Sequence, residues 1–185
     1  TAKEHQAIAR DVEGGGEAFF DVQHVEEALP PLVYVEEDES AQIEGAAESS
    51  PPLGLQRALA FFLVAAGAQN VLDPLSRSMG QNFLCHTSQK TTEHARVAML
   101  IRNYLNRLSD DLEAGSSGTE TMLRLHWGYD ELRRTMTDPP AFDDVLERIK
   151  KRLPRREVPV VNSANSPVDF GRQVNFIVGG NILGR

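Results

Sequence analysis

Three short apolar runs in this sequence end in polar residues that could hold a phosphate group. They are NFLCHTS at 82–88, VPVVNSA at 158–164 and VNFIVGG at 174–180. Such runs are typical of buried strands, and the strands of a mainly parallel sheet share one carboxyl edge, where ligands bind. Side chains and backbone N–H groups gathered there could hold a phosphate. The candidates are His86, Thr87, Ser88, Asn162 and Ser163.

The final stretch, NFIVGGNILGR at 175–185, is a second candidate. Gly179 and Gly180 permit a sharp turn, because glycine adopts positive φ without steric cost. Asn181 and Arg185 leave the same strand end, and the guanidinium fork of arginine matches the geometry of a phosphate. A tight turn that binds no ligand is the alternative interpretation.

A third candidate is the basic run ERIKKRLPRRE at 147–157. We predict that its Arg155 and Arg156 contact nucleic acid, because cations that neutralise backbone phosphates supply affinity that does not depend on base sequence. Two alternatives stay open. The run could be an ordinary solvated face, or it could bind the acidic residues at the start of the chain.

Charge is unevenly distributed along the sequence. Residues 1–50 contain 13 acidic and 2 basic side chains, a net charge of −11, whereas residues 51–185 have a net charge of +3. A polyanion responds to the local field rather than to the total, so the overall charge of −8 does not exclude nucleic-acid binding.

The sequence carries no recognisable signature of catalysis. It contains no GxxxxGK[ST] phosphate loop, no acidic pair followed by an E-x-K spacing and no nucleophile elbow. A metal site in HTSQKTTEH at 86–94 is not favoured, because Cys85 and His86 would point to opposite sides of a strand. We therefore predict no catalytic residue and no metal ligand, and interpret His94 as a structural histidine at the start of a helix.

The single cysteine, Cys85, excludes an internal disulfide and fits a reducing compartment, so we expect a cytoplasmic protein. The most apolar stretch, 58–68, is shorter than the roughly 20 residues that cross a bilayer. We expect a buried helix there and no membrane partner.

Apolar periodicity predicts helices over 55–72, 91–112, 119–136 and 141–153, interspersed with the three strands. This order predicts an α/β fold with a mainly parallel sheet flanked by helices. Residues 1–54 lack helical periodicity and are predicted to be an irregular acidic arm, so the domain proper spans 55–185.

Several runs occur in an order that resembles the Z-one domain of bacterial proteins described as endonucleases. They are GGGEAFF at 14–20, LVYVEEDE at 32–39, LQRALAFFLVAAGAQ at 55–69, NFLCHTSQKTTEH at 82–94 and the final NFIVGGNILGR. The similarity covers most of the chain and is weakest across 109–157. It implies a helicase-like fold similar to the second RecA-like lobe of superfamily-two helicases. In that view the arm is an inter-lobe linker, 109–157 is a helical insertion, and the lobe is incomplete at its carboxyl terminus.

The resemblance also implies roles. The three residues 86–88, together with 162 and 163, would grip the nucleic-acid backbone. The terminal turn would couple the NTP cleft to the bound strand through Gly179, Gly180, Asn181, Leu183, Gly184 and Arg185. The implied function is part of an NTP-dependent, nucleic-acid-acting protein of restriction or phage defence, inactive as this piece alone. Its implied partners are nucleic acid, DNA rather than RNA, and the missing first lobe. No cofactor is expected in this piece, and ATP and magnesium are expected for the intact protein. The alternative is a non-catalytic protein-interaction module.

Overall fold

Four helices and a small parallel sheet make up the part of the chain that a computed structural model describes, residues 51–85, 91–161 and 174–179. In chain order the elements are α1 (Leu53–Leu72), a 3-10 helix (Pro74–Ser78), β1 (Gln81–Cys85), α2 (Thr91–Ala114), α3 (Glu120–Thr135), α4 (Phe142–Arg152), a second 3-10 helix (Leu153–Arg155), β2 (Arg156–Glu157), β3 (Val160–Val161) and β4 (Val174–Gly179). The predicted α/β fold with a parallel sheet is confirmed, and the described chain is mostly helical.

Local chemistry sets the ends of α1. It begins directly after Pro51 and Pro52, since proline lacks the N–H that a helix interior requires. It ends at Leu72, and the Asp73 carboxylate then accepts a hydrogen bond from the Leu75 N–H at 2.9 Å, which starts the following 3-10 helix. The helix thus runs from two residues before the predicted start to the predicted end.

The sheet has β4 at its centre, with β1 on one side and β2 and β3 on the other, and every described pairing is parallel. Arg156 pairs with Val174, and Val160 pairs with Val178, so β2 and β3 keep the same register against β4. They therefore form one strand that is interrupted at Pro159. Proline cannot donate to the ladder, but its carbonyl still accepts from the Val178 N–H at 3.0 Å. The strand predicted over 158–164 therefore begins at 156, and its residues 162–164 lie outside the described parts of the chain.

The helices and the sheet share one apolar core. The rings of Phe83 of β1 and Phe176 of β4 each lie 5.5 Å from the ring of Phe62 of α1, centroid to centroid, and 6.0 Å from each other. All six residues of β4 are buried. The buried core also takes residues from α2, α3 and α4.

Two glycines let α1 approach its neighbours closely. A Cβ added at Gly67 would lie 2.9 Å from a methyl of Val145 in α4, and one at Gly128 of α3 would lie 3.2 Å from the backbone of Ala60 and Phe61. Both distances are shorter than ordinary van der Waals contact. The two helices of the predicted insertion over 109–157 thus pack directly on α1, and residue 109 lies within α2. The division of the chain into an arm, a lobe and an insertion stays a prediction.

Helix α1 is also the one helix in the described parts of the chain that is long and apolar enough to cross a membrane. Half of its most apolar window is buried against the rest of the molecule. Leu59, Ala60 and Val64 are completely buried, which is the pattern of a core helix.

Candidate nucleic-acid interface

Three strands end side by side at the carboxyl edge of the sheet. Cys85, the last residue of β1, pairs with Val178, and Val161, the last residue of β3, pairs with Gly179. The chain therefore leaves this edge at three neighbouring positions, immediately before the predicted site residues. Those that lie outside the described residues are His86, Thr87, Ser88, Asn162, Ser163, Gly180, Asn181, Leu183, Gly184 and Arg185.

Of the last described residues at this edge, Cys85 and Gly179 are buried and Val161 is half-buried. Cys85 is 6% exposed, and burial raises the pKa of its thiol from 9.0 to about 12. At neutral pH the thiol is protonated, so it is neither a nucleophile nor a ready metal ligand. Gly179 is the only predicted coupling residue within the described part of the chain, and it is a buried strand residue beside Val161.

Arg155 and Arg156 lie at the opposite, amino edge of the sheet. Arg156 pairs with Val174, the first residue of β4, whereas the predicted loops follow its last residue. Six residues at about 3.3 Å per step separate the two edges by roughly 17 Å. The predicted set of nucleic-acid contacts is therefore divided between two edges, and the structure does not bring the two groups together.

These two arginines also differ in what they contact. The half-buried Arg156 donates hydrogen bonds to the Leu153 carbonyl at 2.8 Å and to the side chain of Asn106 on α2. Burial lowers the pKa of its guanidinium, and the nearby Asp110 carboxylate opposes that change. Arg155 is exposed. Arg156 thus ties the start of β2 to α2, and Arg155 is the one of the pair that is open to solvent.

A buried polar cluster beneath this amino edge was not predicted from the sequence. Asn70 and Ser76 are 1% and 2% exposed, and the Ser76 hydroxyl lies 3.1 Å from the Asn70 amide oxygen. Arg152 donates to the same oxygen at 3.1 Å and to the Met79 carbonyl at 2.9 Å. Burial, and secondarily the charge of Arg155, lower the pKa of the Arg152 guanidinium. An asparagine within an otherwise apolar helix was the signal that could have indicated this cluster.

Exposed cations flank Ser76 and Arg152 along the chain. We call the surface formed by Arg77, Lys150, Lys151 and Arg155 the basic end of α4; all four residues are exposed. Arg152 joins the 3-10 helix that carries Arg77 to the end of α4, because it also donates to the Arg77 carbonyl at 3.2 Å. Cations at a helix carboxyl end are stabilised by the helix dipole.

Among residues 51–85, 91–161 and 174–179, no group of three or more His, Cys, Asp or Glu side chains could hold a metal ion. His94 of α2 is 1% exposed, which agrees with the interpretation of a structural histidine near the start of a helix.

Comparison with known proteins gives one match. The model of the Z1 domain matches residues 54–185, which include every element of the described fold after the first residue of α1. No curated protein and no solved structure matches the chain. Since the family model spans well over half of the sequence, the chain belongs to the Z1 domain family.

Proposed function

We propose that this chain grips the backbone of a nucleic acid at the carboxyl edge of its sheet and acts within a larger helicase-like, NTP-dependent protein. The observation that carries the proposal is the register of β1, β3 and β4, whose ends lie side by side. The sequence places hydroxyl, imidazole and amide side chains immediately after each of these ends. Contacts of this kind hold phosphates without reading base sequence.

The finer parts of the proposal rest on resemblance. The proposal includes the similarity to a second RecA-like lobe and the role of 179–185 in coupling to NTP. It also includes the association with endonucleases of restriction or phage defence. Its nucleic acid is DNA rather than RNA, and the remaining lobe of the intact protein completes the NTP cleft. A cytoplasmic location fits this function.

ATP and magnesium belong to the intact protein in this proposal. The described segments offer no cluster of acidic or histidine ligands for magnesium, and the sequence has no phosphate loop. We therefore assign no step of hydrolysis to this chain.

The test is the fluorescence anisotropy of labelled single-stranded DNA and RNA oligonucleotides titrated with the full chain. Affinity is expected to fall as salt rises, since phosphate contacts release counterions. The double variant Thr87→Ala/Ser88→Ala removes two predicted phosphate contacts, each worth about 1 kcal/mol, and should weaken binding ~30-fold. The matched control Ser117→Ala/Thr137→Ala removes two hydroxyls from exposed positions away from the sheet edge and should bind like the parent chain.

Arg155 tests whether the amino edge takes part. The affinity for oligonucleotides too short to span the roughly 17 Å between the edges should be the same in Arg155→Ala as in the parent chain. Longer oligonucleotides should bind the variant more weakly, and the slope of log affinity against log salt concentration should become shallower by about one. If neither DNA nor RNA changes anisotropy at low salt, the proposed grip is wrong.

The second candidate function is a non-catalytic protein-interaction module, and one observation favours it. Leu72, Leu75 and Met79 are 53%, 79% and 59% exposed and lie close in sequence where α1 passes into the 3-10 helix. Grouped exposed apolar side chains are typical of protein-binding surfaces. The absence of oligonucleotide binding in the titration above would favour this function over the first.

A further inference from the structure

The basic end of α4 carries four exposed cations. Lys151 lies 3.8 Å from Glu147, but both side chains are mostly exposed, so that pair contributes little. Arg77 is held nearby through the bonds that Arg152 makes to its carbonyl and to that of Met79. This surface therefore carries cations on three elements, α4 and the two 3-10 helices, and hydrogen bonds of Arg152 hold the first 3-10 helix against the end of α4.

The same chain carries a segment of complementary charge. Residues 36–39 are Glu, Glu, Asp and Glu, the densest acidic run of an amino-terminal region with a net charge of −11. Four consecutive carboxylates can face four cations without a defined secondary structure, because Coulomb attraction does not depend on direction.

The connecting chain is long enough to bring the two together. The Pro51 carbonyl accepts a hydrogen bond from the buried Gln56 side chain at 2.9 Å, so the amino-terminal region departs from the first turn of α1. The basic end lies near Asn70 at the far end of that helix, about 30 Å away at 1.5 Å per residue. The peptide from 39 to 51 can span about 40 Å when extended.

We propose that the acidic segment 36–39 docks on the basic end of α4 within one molecule. The short tether gives the segment an effective concentration of the order of millimolar at this surface, which offsets the weakness of each exposed ion pair. The docked segment occupies cations that would otherwise attract a polyanion. The acidic segment thereby competes with nucleic acid for Arg155 at the amino edge of the sheet, and it does not affect the grip that we propose at the carboxyl edge.

The test is paramagnetic relaxation measured by NMR on the full chain without nucleic acid. A spin label is attached to the variant Ser40→Cys, while the buried Cys85 thiol stays protonated and unlabelled. At about 0.01 M salt, the amide peaks of Lys150, Lys151 and Arg155 should lose most of their height. At about 1 M salt, where the screening length falls to ~3 Å, they should recover.

Two variants that each lose four acidic charges test whether segment 36–39 is responsible, one as the test and one as its matched control. In E36Q/E37Q/D38N/E39Q the broadening at the basic end should disappear, whereas E13Q/E17Q/D21N/E26Q removes the same charge from the same region and should retain it. Replacing Lys150, Lys151 and Arg155 by Gln should also remove the broadening.

Several results would overturn the docking. They are undiminished peaks at low salt, broadening that survives neutralisation of 36–39, and broadening that appears only when labelled and isotope-enriched molecules are mixed, which indicates contact between copies. Oligonucleotide shifts at Lys150 and Arg155 that are equal with and without the acidic segment would instead assign this surface to nucleic acid. The relaxation measurement contains no nucleic acid, so a negative result would overturn only the docking of the acidic segment. The grip at the carboxyl edge is tested separately by the oligonucleotide titration.

Discussion

At the scale of single residues, burial decides what the side chains beside the candidate interface can do. Cys85 is the clearest case, because its packing against the core keeps its thiol away from solvent and protonated. Arg155 and Arg156 show the same principle. They are neighbours in a basic run, yet one is open to solvent and the other is bonded to α2.

The Cys85 thiol should be inert in the folded protein. Its folded pKa of about 12 lies above its ordinary value of 9.0, so folding favours the protonated thiol, and this contribution to stability is complete below pH 9 and is lost as the pH rises toward 12. We expect the Cys85 thiol not to react with an aromatic disulfide reagent at pH 8 in the folded protein and to react at once in denaturant. The absorbance of the thiolate that the reagent releases measures this reaction. Rapid labelling of the native chain at pH 8 would contradict this burial.

At the scale of elements, the close crossing of α1 and α3 depends on the missing side chain of Gly128. The contacts that a Cβ would meet are backbone atoms of Ala60 and Phe61 at 3.2 Å, which cannot move without shifting the whole helix. Gly128→Val should therefore lower the free energy of unfolding by about 1–3 kcal/mol, measured as a lower midpoint in urea.

Gly118 provides the matched control for that substitution. It lies in the turn between α2 and α3, and a Cβ there would meet nothing within 4 Å. Gly118→Val should change the free energy of unfolding by no more than about 0.5 kcal/mol. Equal effects of the two substitutions would show that the helix crossing is not the cause.

At the scale of the whole molecule, α3 and α4 share one core with α1 and the sheet. The chain has one tryptophan, Trp127 on α3, and one cysteine, Cys85 on β1, so each side of this core has a unique probe. We expect tryptophan fluorescence and thiol accessibility to change at the same urea concentration, because a shared core unfolds cooperatively. Separate midpoints would indicate that 109–157 folds as an independent insertion.

Local sequence signals predicted the elements well. The helices over 119–136 and 141–153 were expected and are found at Glu120–Thr135 and Phe142–Arg152, and the strand over 174–180 is found at Val174–Gly179. Periodicity, prolines and glycines act within a few residues, so they are readable in the sequence. The family was likewise visible in the order of the motifs from residue 55 onward, and the Z1 match over residues 54–185 confirms the family, whereas the RecA-like lobe and the endonuclease context stay predictions.

The candidate site was only partly predictable for the same reason. Three polar strand ends were expected at one edge, and the strands β1, β3 and β4 do end there side by side. Nothing local, however, indicates that Arg155 lies at the other edge, or that Arg152 is engaged by Asn70, a residue distant in sequence. Those contacts depend on how α1, α4 and the 3-10 helix meet.

By itself, the sequence determined where helices and strands form, where charge is concentrated and which family the chain resembles, because each of these follows from residue type and short-range spacing. Only the tertiary structure decided that β4 lies between β1 on one side and β2 and β3 on the other, and that α1 crosses its neighbouring helices closely at Gly67 and Gly128. It also decided that the predicted phosphate contacts divide between two sheet edges. The physical reason is that these features arise from contacts between distant residues, whose free energy depends on shape and burial in three dimensions rather than on the order of neighbours along the chain.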